Sequence, residues 1–290
     1  MKLLAKFNII FLLVFLVGLA ASSLVARGLL QKAAKEDVID RARLLMEKAN
    51  AVSSYTATQI KPLLETQMKY SFLPQSVPAY SAAEVLASLQ KSYPEYGFKS
   101  AMLNPTNPRD RAVAWEEDVV SQFKLNADMK EFIGERDTPS GPSLYIARPI
   151  RISNPACLAC HSTPDAAPAT LTERYGPSNG FGWKLGDTLG AQVVSVPMRV
   201  PLQRADQALM VVVGVLAAVF LLIGAALNFM LWKLVIQPVS KLSAIADRVS
   251  LGEFEAPEFA AGSKDEIGTL ADSFGRMRKS LAHAMKMLDA

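Results

Sequence analysis

Two apolar runs divide the chain. The first extends from Phe7 to Ala26, preceded by Lys2 and Lys6 and closed by Arg27; the second extends from Ala208 to Trp232, interrupted by Asn228 and closed by Lys233. About 20 residues at about 1.5 Å each cover the roughly 30 Å of a bilayer core. Both runs therefore predict membrane-spanning helices, within residues 1–27 and 206–232. A cleaved leader would share the first pattern, and Gly18-Leu-Ala20 offers the small residues a peptidase needs. The run is longer than an ordinary leader core, however, and a helical rhythm continues past Arg27, so a retained anchor is expected. In that rhythm Val38, Ala42, Leu45, Ala49 and Val52 recur at alternating spacings of four and three, which places them on one helical stripe.

Between the two runs the pattern is mixed. The long helix is expected to reach about Ile60 and to bend or stop near Pro62, which lacks an amide proton. Ser81-Ala-Ala-Glu84 has the form of a capping box and predicts a short helix to Lys91; Thr170 to Glu173 repeats the form. Tyr96–Leu103, Leu144–Ile152 and the Val-rich Leu189–Met198 read as strands. Asn104-Pro-Thr-Asn107-Pro108 reads as a rigid double turn. Ala112, Trp115, Val119 and Phe123 form the apolar face of another helix, with Trp115 assigned to the core and Glu116, Glu117 and Asp118 turned outward. Helices interspersed with strands of antiparallel type predict an α+β domain over residues 28–205.

The segment after the second run, residues 233–290, changes rhythm again. Val235, Pro238, Leu242, Ile245 and Val249 recur at threes and fours, and Gly252 ends that helix. A connector through Pro257 and Gly262 leads to Asp265-Glu-Ile-Gly268, and Ile267, Leu270, Phe274, Met277, Leu281 and Leu288 resume the seam. Two short helices cannot bury such seams alone, so a parallel homodimer forming a four-helix bundle is expected. This pattern resembles a HAMP relay domain. His283 faces away from the seam.

Composition adds chemistry at one place. Half of the 290 residues are hydrophobic and the net charge is +4, with basic residues scattered among acids rather than striped on one face, so no nucleic acid is expected. The chain holds two cysteines and two histidines. Cys157, Cys160 and His161 stand together in Asn154-Pro-Ala-Cys-Leu-Ala-Cys-His-Ser162. Two thiols three residues apart, with imidazole immediately after, match the attachment of one covalent c-type haem: two thioethers on the porphyrin and His161 as an iron ligand. A thioredoxin-like disulfide would be expected to open a helix after a strand, whereas prolines flank this motif. A structural zinc needs about four ligands, and three are present; a simple disulfide remains an alternative. No second histidine or third cysteine exists in this domain to face His161 across an iron. Met68, Met102, Met129, Met198, Tyr55 and Tyr145, a lysine, or an open position remain for the sixth site. Arg148, Arg151 and Arg174 are candidate partners for haem propionates, and Phe181 and Trp183 candidate walls. No constellation of nucleophile and base appears, so no enzymatic activity is expected.

Several stretches together, Pro74-Gln-Ser-Val-Pro-Ala-Tyr80, Asn104-Pro-Thr-Asn-Pro-Arg109, Ala147-Arg-Pro-Ile150, Cys157–His161, Gly180-Phe-Gly-Trp183 and Gly190-Ala-Gln to Met198, resemble a periplasmic c-haem sensor family formerly of unknown function. The resemblance covers residues 28–205 and implies a PAS-like fold and a sensor rather than an enzyme. Haem attachment belongs to the outer face of the inner (cytoplasmic) membrane. This places residues 27–207 in the periplasm and both termini in the cytoplasm; Lys2 and Lys6 against Arg27, Lys32 and Lys35 give only a weak orientation signal. The expected whole is a membrane-anchored haem sensor relaying redox state or ligation to the HAMP domain. The alternative is a membrane-tethered cytochrome carrying electrons. No kinase, cyclase or methyl-accepting domain follows the tail in this sequence, so either the output is a separate cytoplasmic protein, of kinase or chemoreceptor type, or the sequence is a fragment of a longer chain.

Overall fold

The computed structural model describes residues 3–139, 141–253 and 265–288. In chain order the elements are α1 (Leu3–Tyr55), α2 (Lys61–Met68), α3 (Pro78–Ser92), β1 (Gly97–Met102), α4 (Ala114–Leu125), β2 (Phe132–Thr138), β3 (Gly141–Arg151), α5 (Leu158–His161), α6 (Ala169–Tyr175), β4 (Thr188–Pro197), α7 (Arg199–Leu231), α8 (Gln237–Ser250) and α9 (Glu266–Leu288). They form two compact units, residues 27–208 and residues 1–26 with 209–290.

In the first unit the four strands make one antiparallel sheet in the order β1-β4-β3-β2. Successive side chains on a strand point to opposite faces, and here both faces are covered. Leu144, Ile146, Val194 and Val196 turn toward Val38, Ala42 and Met46 of α1. Tyr145, Ala147, Ala191 and Val193 turn toward Val119, Val120 and Phe123 of α4. Met46 and not Leu45 is the fully buried member of the α1 stripe. Trp115 packs edge-on to Tyr145 with ring centroids 4.9 Å apart, in the core as expected.

Several local expectations are corrected. The chain does not leave the helix at Pro62. It widens into a π turn over Thr56–Ile60 and continues as α2, with Pro62 in the first turn. The identical arrangement recurs at Trp232–Ile236 ahead of Pro238. A proline ring clashes with the carbonyl four residues back and leaves it without a donor; one wider turn relieves both problems and lets the helix run on. Neither capping box caps its helix. Pro78 occupies the first turn of α3, whose N-cap is Val77, and Ser81 Oγ donates instead to the Gln75 carbonyl at 2.9 Å. Pro168 is the N-cap of α6, and Thr170 Oγ1 donates to the Met68 carbonyl at 3.4 Å. A proline ready at the helix start outcompetes a box set inside it. Strand β2, with its polar and exposed pattern, was not expected from the sequence.

Glu116 is also not turned outward. It is only 4% exposed, and its Oε2 accepts from Lys99 Nζ at 2.7 Å and from the Val113 amide at 2.9 Å. It thus ties β1 to α4 while satisfying a free amide of the first turn. Glu116→Ala is expected to cost about 2 kcal/mol in chemical denaturation, because the Val113 amide loses its acceptor and the part-buried Lys99 ammonium keeps only the Arg111 carbonyl. Glu116→Gln, which keeps an acceptor oxygen, is expected to cost less than half as much.

The second unit contains the two apolar runs, both helical and long enough to cross a membrane. Phe15 packs on Phe220 with centroids 4.6 Å apart, and Asn228 Nδ2 donates to Asn8 Oδ1 at 2.7 Å. An amide pair of this kind links helices where water is absent. Leu242, Val249 and Ala271 are buried, whereas Leu270, Met277 and Leu281 remain 49%, 53% and 45% exposed. His283 is exposed. The connector through Pro257 and Gly262 lies outside the described residues, as does Lys2.

Candidate functional site

The site begins where β3 ends. Asn154 Oδ1 accepts from the Ala156 amide at 2.9 Å, and Pro155 starts a tight turn over Pro155–Cys157 that leads directly into α5. Asn and Pro at these two positions start a helix locally, without help from tertiary contacts. Cys157, Cys160 and His161 consequently stand at i, i+3 and i+4, on one helical face. The two thiols are unlinked and half-buried. Burial pushes the Cys160 thiol up; the Lys61 cation pulls against this and the neighbouring Cys157 adds to it.

His161 is held on three sides. Its Nδ1 lies 2.7 Å from the Gly180 carbonyl; a carbonyl only accepts, so Nδ1 carries the proton and Nε2 keeps its lone pair. The Trp183 ring stacks on the imidazole at 3.8 Å with 13° between planes. Backbone bonds from the Trp183 amide to the His161 carbonyl (3.2 Å) and from the Gly182 amide to the Ser162 carbonyl (2.9 Å) clamp the two segments together. Burial lowers the imidazole pKa, opposed by the Gly180 bond. A neutral ring with a fixed tautomer is the form in which histidine binds a metal.

Gly180 is itself positioned by the Asn104–Asn107 turn. Its amide donates to Asn104 Oδ1 at 3.4 Å, and its φ is +82°. Thr106 packs so closely that a Cβ on Gly180 would stand 2.0 Å from Thr106 Oγ1. That hydroxyl is buried without a hydrogen-bond partner among the described residues.

His161 and Trp183 form part of the wall of an open cavity of about 120 Å³, completed by Phe72, Tyr80, Met102, Thr106, Asp110, Tyr175 and neighbours. The walls are chiefly apolar and aromatic, as in sites for flat organic cofactors. The cysteines do not line it; they stand beside it on the α5 turn. A neutral imidazole nitrogen at an apolar cavity, with two unlinked thiols on the same helical face, is a donor set that fits a covalently held haem. Among the described residues no cluster of three or more His, Cys, Asp or Glu could hold a metal ion.

The other sequence candidates separate. Of the proposed sixth ligands only Met102 reaches the cavity. Met198 and Met129 pack with the two cores, Tyr145 lies under Trp115, and Tyr55 is exposed. Arg148 is committed to Glu47 at 2.5 Å and Glu131 at 3.1 Å, and Arg151 to Thr188 and the Met129 carbonyl. Arg174 lies over the Tyr175 ring, 5.8 Å from its centroid, and so stays close to the cavity. Trp183 walls it; Phe181 does not. Tyr80, Tyr175 and Phe72 were missed as lining residues. So were Asn104 and Gly180 as supports of His161, since no spacing rule reports an approach across 76 residues.

Comparison with known proteins adds three findings. Residues 31–197 match the model of the Tll0287-like family, described as Tll0287, and residues 230–283 match the HAMP domain. Among solved structures, the chain is similar to the crystal structure of the cyanobacterial haem protein Tll0287 at 19% identity. That alignment covers 56% of this chain and 93% of the other, with a TM-score of 0.41. No curated protein matches.

Proposed function

Because the chain belongs to the Tll0287-like family and carries a HAMP domain after it, we propose that it is a membrane-anchored haem sensor whose state is relayed through α7 to the HAMP helices. The observation that carries this reading is His161: Nδ1 engaged by Gly180, one face on Trp183, beside two unlinked thiols at an apolar cavity. In the proposal Cys157 and Cys160 form thioethers to one haem c and His161 binds its iron. The haem supplies a centre whose charge and ligation change with redox state or with a bound diatomic gas. The sheet with helices on both faces supports the PAS-like reading.

The protein's own residues account for transmission. Strand β4 both packs under the α1 stripe and leads through Met198 into α7. A shift of the 180–183 segment would act on β4, whose first residue, Thr188, follows it closely. Moving a two-state relay from mostly off to mostly on requires about 5.5 kcal/mol of differential stabilisation. The half-exposed Leu270, Met277 and Leu281 support burial against a second copy as a homodimer, with a separate cytoplasmic protein as output. Residues 27–207 are placed in the periplasm and both termini in the cytoplasm. The domain signals without turnover in this reading, and an electron carrier would have no use for a HAMP relay.

Removal of residues 233–290 tests this. The truncated protein is expected to keep the haem spectrum of the full chain while losing all of the physiological response. Retention of the response without the HAMP helices would refute the signalling role.

A further inference from the structure

We propose, resting on the haem reading above, that Met102 is the second axial ligand of the iron, through its thioether sulfur. The strand pleat supports it first. Ala101 lies in the core beneath α4, so Met102, the next residue, belongs to the opposite face of the sheet, where the cavity opens. Its backbone is then held from both sides. Its carbonyl accepts from the Ala112 amide at 2.8 Å, it pairs with Gly190 on β4, and it bridges to Arg111. Gly190 is required for this approach: a Cβ there would lie 2.9 Å from Met102 Cα and 2.2 Å from the Ala101 carbonyl oxygen. A side chain on so constrained a backbone is a better ligand than one on a loop, because little ordering remains to be done on binding.

The donor chemistry narrows the choice further. Among the described residues no lysine, cysteine or second histidine lines the cavity. Asp110 is a hard oxygen donor, and Tyr80 and Tyr175 bind iron well only after losing a proton. The thioether is neutral, soft, and competent toward both oxidation states of haem iron. It also needs no hydrogen bond from the apolar wall. Methionine opposite histidine raises the reduction potential and closes the iron to gases until the sulfur leaves. The assignment therefore favours redox over direct gas capture as the primary signal.

The test uses the full chain, purified in detergent after expression with a working cytochrome-maturation pathway, and Met102→Leu, which conserves volume. The wild type is expected to show the near-infrared charge-transfer band of thioether-ligated ferric haem. In the ferrous state one methionine methyl resonance should be displaced far upfield by the ring current. Met102→Leu is expected to lose both signals, to bind CO readily, and to have a lower potential, with covalent haem retained. An unchanged spectrum in Met102→Leu overturns the assignment. So does a five-coordinate wild type, or a spectrum that changes instead in Tyr80→Phe or Tyr175→Phe. Protein without covalent haem would overturn the function itself, and this ligand with it; haem present but indifferent to Met102 would overturn the ligand alone.

Discussion

Cys157→Ser/Cys160→Ser is expected to abolish covalent haem attachment completely. Acid acetone should then extract all pigment, and the denatured protein should show neither haem stain nor added mass. Without thioethers the ring would rely on the cavity and iron ligands alone, and the high effective concentration that tethering provides would be gone. Each single substitution is expected to leave one thioether, so haem stays bound while the pyridine haemochrome band moves to longer wavelength, as one vinyl group survives. The cysteines are half-buried and make no core contact, so the fold should change in stability by less than about 1 kcal/mol. Far-ultraviolet circular dichroism checks that control. Protein that stays colourless before any substitution would remove the basis for the functional proposal.

Gly180→Ala is expected to cause a large loss of stability for a single methyl group. Its backbone, at φ +82°, is in the left-handed region, where a Cβ costs about 1–2 kcal/mol. The new carbon would also stand 2.0 Å from Thr106 Oγ1 and 2.9 Å from Thr106 Cα, and overpacking of this sort costs about 1–3 kcal/mol more. A total near 3 kcal/mol corresponds to a fall in melting temperature of roughly 6–12 °C for a domain of this size. The effect reaches chemistry because Gly180 also supplies the carbonyl that orients His161. The haem spectrum should broaden or shift even in molecules that remain folded. Thr106→Ser retains the hydroxyl and removes a methyl, so combining it with Gly180→Ala is expected to recover only part of the loss. A Gly180→Ala protein with wild-type melting temperature and spectrum would show that the 104–107 turn does not support the histidine.

How much could be read beforehand depended on the range of the forces involved. Cys157, Cys160 and His161 were legible as one cluster because their common face follows from spacing within one helical turn. The two long apolar runs were legible from their length and composition, and the α1 stripe and the Val-rich β4 because burial imposes a period on the sequence. Glu116 was misread because an acidic residue in a first helical turn is ordinarily solvated, and nothing local announces Lys99. Strand β2 was missed because it is exposed over much of its length, so no alternation marks it. Pro62 was read as a bend or stop and Pro238 as one position of a helical seam; two π turns, each ending two residues before a proline, carry the helices onward.

The sequence by itself determined that two thiols and an imidazole stand together within one helical turn, that two segments are long and apolar enough to cross a bilayer, and that a HAMP domain follows. Each of these rests on covalent neighbours or on a helical repeat, and needs no distant partner. Only the tertiary structure decided which nitrogen of His161 is free, which of several methionines meets the cavity, and that the Asn104–Asn107 turn stands behind Gly180. Those outcomes depend on contacts between strands, turns and loops far apart in the chain. Their register is set by which faces of the sheet the helices cover, a property that no single stretch of residues contains.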